Sequence, residues 1–165
     1  MTIRGSDENG NPIWTIQGMV ATSPMMPNQL MVDCGTFAAA TTGAIGTHPL
    51  FNVTGIVAVS IFGVCGTDIT SGGACTLEVG VASSTAGLLP LIVFSTWDAN
   101  EVWEMTDTNL NKLILDSLLL KKIVTESAIN LKITDATATG GSAKFYLSWY
   151  PLSPGATVTA VTPFA

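Results

Sequence analysis

Acid-base and nucleophilic chemistry near neutral pH usually depends on a histidine, and this chain of 165 residues contains one, His48. A Ser-His-Asp or Cys-His mechanism would have to use it as the base. His48 lies in the sequence Gly-Thr-His-Pro, which is typical of a turn, and no GxSxG motif occurs in the chain. We therefore expect His48 to be an exposed loop residue, and the sequence predicts no catalytic residues.

Four acidic residues lie close together at Asp98, Glu101, Glu104 and Asp107. Two carboxylates can hydrolyse a glycosidic bond, and a group of carboxylates can bind Ca²⁺. Residues 101 and 104 would fall on opposite faces of a strand, so spacing alone does not bring these side chains together. A solvated acidic loop is the favoured interpretation; a calcium site and a glycan hydrolase centre are the alternatives.

Three cysteines, Cys34, Cys65 and Cys75, have no CxxC spacing and no second histidine beside them, which argues against a zinc site. Buried free thiols are the expected state. Because Cys65 and Cys75 flank a turn, a disulfide across a hairpin is the alternative. Neither GxxxxGK[ST] nor GxGxxG occurs, so the sequence predicts no cofactor and no metal.

The charge and hydropathy of the chain limit its partners. A formal net charge of −6 disfavours binding to nucleic acid, whose phosphates repel an acidic protein. The longest strongly apolar run, from Leu88 to Phe94, is too short to span a bilayer, and the N-terminus does not resemble a signal peptide. We therefore expect a protein made in the cytoplasm that contacts neither nucleic acid nor a membrane.

The proportion of charged residues is low, at 11%, against roughly 25% in typical soluble domains. One explanation is that Thr, Ser, Asn and Gly supply the polar surface, as is common in β proteins. The favoured explanation is that neighbouring subunits cover much of the surface.

The elements that would position these residues are predominantly strands. Residues 1–12 are polar and predict a flexible N-terminal arm, followed by one domain over residues 13–165. The β-branched run from Val53 to Val64 predicts a central strand, with the alternating segment Ala74 to Ala82 as its hairpin partner. Further strand candidates are Gln29–Asp33, Leu91–Phe94, Glu101–Met105, Ile129–Ile133 and Ala143–Tyr150.

The segment from Leu110 to Val124 fits either a helical stripe or two short strands turning at Asp116-Ser117, and we favour the strands. About eight or more short strands with turn residues between them predict an all-β fold. The architecture would be an antiparallel β-sandwich or barrel, jelly-roll-like in topology.

Aromatic residues are the remaining candidates for a binding role, because flat rings stack on sugars and fill subunit interfaces. Packing in the core or at an interface is the favoured interpretation, and a sugar platform is the alternative. The candidate interface residues are Trp14, Trp97, Trp103, Tyr146, Trp149 and Tyr150.

Two stretches carry a resemblance to small structural proteins of tailed bacteriophages, within a match over residues 50–162. The first runs Phe51-Asn-Val-Thr-Gly-Ile-Val-Ala-Val-Ser-Ile-Phe-Gly-Val-Cys-Gly-Thr-Asp and continues through Thr76-Leu-Glu-Val-Gly-Val-Ala. The second is the C-terminal Phe145-Tyr-Leu-Ser-Trp-Tyr-Pro-Leu-Ser-Pro-Gly-Ala-Thr-Val, which resembles their closing strand and turn.

The resemblance implies a capsid decoration, or cement, protein. Such a protein forms a homotrimer on the outer surface of the virion and clamps neighbouring major capsid subunits without catalysis. We further expect residues 1–20 to order only in the assembly. A carbohydrate-binding head-fibre or tail module, using Trp97, Trp103 or Trp149, is the alternative function.

Overall fold

The computed structural model describes residues 2–6, 12–15, 28–105 and 123–161, and this part of the chain is almost entirely β-strand. The strands are β1 (Thr2–Ser6), β2 (Pro12–Thr15), β3 (Asn28–Thr36), β4 (Gly46–Thr54), β5 (Val57–Ser71), β6 (Thr76–Val81), β7 (Ser84–Val93), β8 (Val102–Glu104), β9 (Ile123–Thr125), β10 (Ile129–Thr134), β11 (Ala138–Pro151) and β12 (Thr157–Ala160). A single 3-10 turn, Phe94–Thr96, lies between β7 and β8.

Two antiparallel sheets pack face to face. One has the order β12-β4-β10-β6-β7, and the other has the order β3-β11-β5-β8, with β9 also paired to β5. Strands β1 and β2 form a separate pair, so part of the predicted N-terminal arm has strand backbone. The prediction of an all-β antiparallel sandwich is confirmed.

The strand pairs are nested along the chain: β6 with β7, β5 with β8, β4 with β10, and β3 with β11. Nested pairing of this kind arises when one long hairpin is rolled up so that its successive strands alternate between two sheets. It is the topology of a jelly roll, to which β12 adds one strand beside β4.

The core lies between the sheets and follows from period-two patterning. In β11, the side chains of Phe145 and Leu147 are buried, whereas Tyr146 and Ser148 on the outer face are only partly covered. Strand β10 behaves in the same way, with three side chains that are 0% exposed: Ile129, Leu131 and Ile133. Both segments were predicted as strands, and each turns one face to the core.

The predicted central strand from Val53 to Val64 is interrupted. Gly55 adopts a φ of +71°, and a Cβ there would lie 2.7 Å from Ser153 Oγ, so this position requires glycine and the chain turns. Strand β4 ends at Thr54, and the central strand is instead β5, which extends to Ser71.

The predicted hairpin between this central strand and Ala74–Ala82 is wrong. Strand β6 lies in the opposite sheet, where it pairs with β7 and β10. Both edges of β5 are occupied by other strands, β11 along one side and β8 and β9 along the other. The chain therefore crosses between the sheets after Ser71.

Three further differences concern element boundaries. Strand β11 begins at Ala138, five residues before the predicted strand Ala143–Tyr150, with an irregular first part, and β12 was not predicted. Of the ambiguous segment Leu110 to Val124, only the last two residues are described, in β9. The predicted turn at Asp116-Ser117 lies outside the described residues.

The alternation of strands places the loops at two ends of the sandwich. The tryptophan end carries the connections β3–β4, β5–β6, β7–β8 and β10–β11, and it includes Trp97. The cleft end carries the connections β4–β5, β6–β7, β9–β10 and β11–β12.

Candidate functional site

Two of the candidate interface tryptophans belong to the core. Trp97 is 1% exposed and Trp103 is 0% exposed, and their rings meet edge to face with centroids 5.4 Å apart. Both rings also pack near Phe145. Each indole donates a hydrogen bond of 3.1 Å, Trp97 to the carbonyl of Glu101 and Trp103 to the carbonyl of Pro90. Their own chain covers both rings, so neither offers a surface to a sugar or a subunit.

The other candidates differ in position. Trp149 points into the core and is 9% exposed, and its buried Nε1 has no hydrogen-bond partner among the residues that the structure describes. Tyr146 is half-buried on the outer face, stacked on Phe62 with centroids 5.0 Å apart, so one face of its ring is occupied. Tyr150 is half-buried on the same outer face. Trp14 lies opposite Ile3 in the β1–β2 pair, and its side chain is outside the described part.

The acidic cluster stabilises a loop at the tryptophan end. Glu101 is 8% exposed, and its carboxylate accepts a 3.0 Å hydrogen bond from the amide of Asp98. Glu104 is 2% exposed, in β8, while the side chain of Asp98 faces solvent. Asp107 lies outside the described ranges. Within those ranges, no group of three or more His, Cys, Asp or Glu side chains could hold a metal ion.

The three cysteines are buried free thiols, as expected. Burial raises the pKa of Cys65 to about 12 and that of Cys75 to about 11, and it also raises the pKa of Cys34. Cys65 lies in β5 of one sheet, and Cys75 immediately precedes β6 of the other, so no hairpin brings them together. These thiols are protonated at neutral pH and are poor nucleophiles.

His48 is not in a turn. It lies in β4 opposite Leu131 of β10 and is half-buried, and its Nε2 is 2.9 Å from the carbonyl oxygen of Ala44. The Gly-Thr-His-Pro sequence that suggested a turn forms the first part of this strand. Pro49 has no N–H to donate, but it is tolerated because β12 pairs with β4 only from Phe51 to Thr54.

A cleft of about 440 Å³ lies at the cleft end. Turns that are distant in sequence form it together, and it falls within the range of roughly 300–1,000 Å³ of ligand pockets. Its lining residues are Ile56, Val81, Ser83, Thr125, Glu126 and Ser127.

Short hydrogen bonds hold the walls of this cleft. The hydroxyl of Thr125 accepts a 3.0 Å hydrogen bond from the amide of Ser127, which closes a tight turn around Glu126. Beside this turn, next to the paired strands β5 and β9, the amide of Ile56 donates to Ser153 Oγ at 2.9 Å, and the amide of Leu152 donates to the carbonyl of Ile56 at 2.8 Å. The β4–β5 and β11–β12 connections thereby support each other.

The cleft combines apolar walls with hydrogen-bond acceptors. Ile56 and Val81 supply aliphatic surface, Ser83 and Ser127 supply exposed hydroxyls, and Glu126 supplies an exposed carboxylate. Among the described residues, the Glu126 carboxylate has neither an ion pair nor a hydrogen bond. The cleft therefore presents an uncompensated negative charge beside apolar surface.

A smaller groove of about 240 Å³ adjoins the cleft at Val81. Lys132 lines this groove, and its Nζ forms a 2.8 Å ion pair with Glu78 Oε1. Burial raises the pKa of Glu78, but hydrogen bonds from Lys132 and Thr85 and the Lys132 charge together lower it below its usual value. The lysine of this groove is already neutralised within its own sheet.

Sequence reasoning did not identify the cleft. Its residues come from separate turns, and no motif links them before the strands are paired. The available signal was the turn sequence Thr125-Glu126-Ser127 after a strand, which places a carboxylate at a loop tip.

In the described ranges, no helix is long and apolar enough to cross a membrane. Comparison of the chain with protein-family models, with curated proteins and with solved structures gives no match.

Proposed function

We propose that this protein is a structural component of a bacteriophage virion that decorates the capsid and stabilises it by subunit contacts. The observation that carries the proposal is apolar surface on a chain in which only 11% of residues are charged. Among the side chains that the structure describes, six large hydrophobic ones are between 41% and 56% exposed: Met31, Ile45, Ile56, Leu91, Val93 and Leu152.

Several of these side chains are neighbours rather than isolated. Leu91 and Val93 point outward from the same edge strand, β7, and Ile56 and Leu152 lie on two turns joined by a hydrogen bond. Contiguous apolar surface of this kind favours association when a partner is present. The resemblance of residues 50–162 to small phage structural proteins supports the same function.

The proposed partners are further copies of this chain, as a homotrimer, and the major capsid protein on the outer surface of the virion. Synthesis takes place in the host cytoplasm, and the function requires neither nucleic acid, membrane, cofactor nor catalysis. A jelly roll suits this role because its rigid sheets can present several loops and edges to different neighbours.

The carbohydrate-binding alternative has less support. Trp97 and Trp103, two of the three tryptophans proposed to stack on sugar, are buried in the core and cannot contact a sugar. Trp149 also points into the core. No described feature favours this function over contact between subunits.

Purified particles test the proposal. Quantitative mass spectrometry should find this chain at close to one copy per major capsid subunit, and native mass spectrometry of the isolated protein should give a trimer. A few copies per particle would instead assign the protein to a fibre or tail, and absence from particles would overturn the proposal.

A capsid lacking the protein provides the functional readout. Adding purified protein should raise the temperature at which such capsids rupture. Leu91→Asp should weaken binding to the capsid, because it places a charge on the exposed apolar edge. Ser95→Asp, at an exposed position on the neighbouring 3-10 turn, is the control for added charge. Unchanged rupture temperature with bound protein would contradict a stabilising role.

A further inference from the structure

We infer that the cleft binds a lysine or arginine side chain of a partner protein. The inference rests on the proposed function only in taking the partner to be a protein. It is carried by three observations at one place: a cavity of ligand size, aliphatic walls and an unpaired carboxylate.

The charges of the protein favour a cationic ligand in the cleft. The chain carries a net charge of −6, and both lysines with described side chains are already in ion pairs, Lys132 with Glu78 and Lys144 with Asp33. In that part of the chain, Glu126 has no such partner. A cation supplied from outside would form a charge-assisted hydrogen bond in a partly enclosed site.

The shape of the cleft favours a long side chain with a charged end. Lysine and arginine have long aliphatic stems and a charged head, and they pack the stem along apolar surface while the head reaches a polar group. Ile56 and Val81 provide the apolar surface, and Glu126 provides the polar group in the same cleft. A small inorganic cation would leave these aliphatic walls without a contact.

The hydrogen-bonding groups of the cleft also suit a ligand that can only donate. Ammonium and guanidinium groups are donors only. The hydroxyls of Ser83 and Ser127 can accept hydrogen bonds beside the Glu126 carboxylate, so they can serve the remaining N–H groups of such a head. An anionic ligand would meet the Glu126 charge and is disfavoured.

The test uses the whole protein in solution and two capped amino acids, N-acetyl-arginine methylamide and its neutral isostere N-acetyl-citrulline methylamide. Titration followed by amide NMR should give saturable shifts for the arginine probe at residues 56, 81–83 and 125–127. Binding of the citrulline probe should be about ten-fold weaker, as expected for loss of a charge-assisted contact. Equal binding of both probes, or shifts elsewhere, would overturn the inference.

Variants assign the effect to the cleft. Glu126→Gln should reduce arginine binding by about ten-fold, while Asp98→Asn, which removes an exposed carboxylate at the tryptophan end, should leave it unchanged. Equal losses in both variants would indicate non-specific attraction to an acidic protein and overturn the site. Spermidine binding as tightly as the arginine probe would overturn the assignment to a protein side chain. Because no virion is present, failure here leaves the capsid proposal standing, and particle mass spectrometry tests that separately.

Discussion

The two ends of the sandwich are built differently. At the tryptophan end, backbone hydrogen bonds join loops to strands, among them Ala138 N of β11 to Gly43 O at 2.8 Å and Asn100 N to Cys65 O of β5 at 2.9 Å. Two buried tryptophans fill the space beneath them. At the cleft end, the turns enclose about 440 Å³. Exposed hydrophobic side chains occur at both ends, Ile56 and Leu152 at the cleft end and Ile45 at the tryptophan end.

This difference indicates a division of roles. A jelly roll pairs strands that are distant in sequence, so its contacts must offset the entropy of closing long loops. At the tryptophan end, backbone hydrogen bonds and buried rings contribute to that. At the cleft end, the surface is less completely filled, and we propose that a partner completes its contacts.

The largest expected effect comes from emptying the core of the tryptophan end. Trp103→Ala should lower the free energy of unfolding by about 3–5 kcal/mol, because it removes a fully buried ring and its hydrogen bond to Pro90. Leu152→Ala at the cleft end should change it by no more than about 0.5 kcal/mol, because that side chain is 55% exposed. Urea denaturation of both variants measures the contrast. Similar losses would remove the distinction between the ends.

Overfilling the same core should have the next largest effect. A Cβ at Gly63 would lie 3.0 Å from Trp97 Cη2 and 3.1 Å from Phe145 Cε1, two rings with little room to move. Gly63→Ala should therefore cost about 1–3 kcal/mol by thermal or urea denaturation. Gly72→Ala is the control, since nothing lies within 4 Å of a Cβ there. A neutral Gly63→Ala variant would show that the ring cluster is loosely packed.

A smaller effect should separate two buried tryptophans. Trp103→Phe loses the indole hydrogen bond to Pro90, whereas Trp149→Phe loses an indole N–H that has no partner. With a similar change in ring size, Trp103→Phe should destabilise the protein by about 1 kcal/mol more, the net value of one hydrogen bond. Equal costs in urea denaturation would mean that the Trp103 hydrogen bond contributes nothing to stability.

The smallest effect should come from the ion pair beside the cleft. Because the pKa of Glu78 is lowered in the folded state, its carboxylate stabilises the fold above the unfolded value of about 4.5. That stability should be lost as the pH falls through the folded pKa. Glu78→Gln should show a shallower fall in unfolding free energy between pH 5 and pH 3, and the pair should contribute at most about 1 kcal/mol. An unchanged pH profile would contradict the lowered pKa.

Local patterning accounts for what the sequence predicted correctly. Alternation in Ile129–Thr134 and Ala143–Tyr150 depends only on neighbours in the chain, so the inward faces of β10 and β11 could be assigned. Strand partners could not, because β5 and β6 are adjacent in sequence yet lie in different sheets. Non-local pairing leaves no local signal.

The sites were harder to predict than the strands. The burial of Trp97 depends on the space left by Gly63, which is distant in sequence. In the sequence, Gly63 is only a glycine within a run of β-branched residues. The cleft depends on turns that only the completed topology brings together. In both cases the decisive contact joins segments that no spacing rule connects.

Hydrogen–deuterium exchange of the protein, free and bound to capsids, tests most directly the claim that one end maintains the fold and the other makes contacts. Binding should slow exchange in the cleft-end turns around Ile56, Ser83 and Glu126 and along the exposed edge of β7 at Leu91 and Val93. The loops around Gly43 and Asn100 at the tryptophan end should already exchange slowly in the free protein and should not change. Protection confined to the tryptophan end, or no protection at the cleft end, would contradict the account.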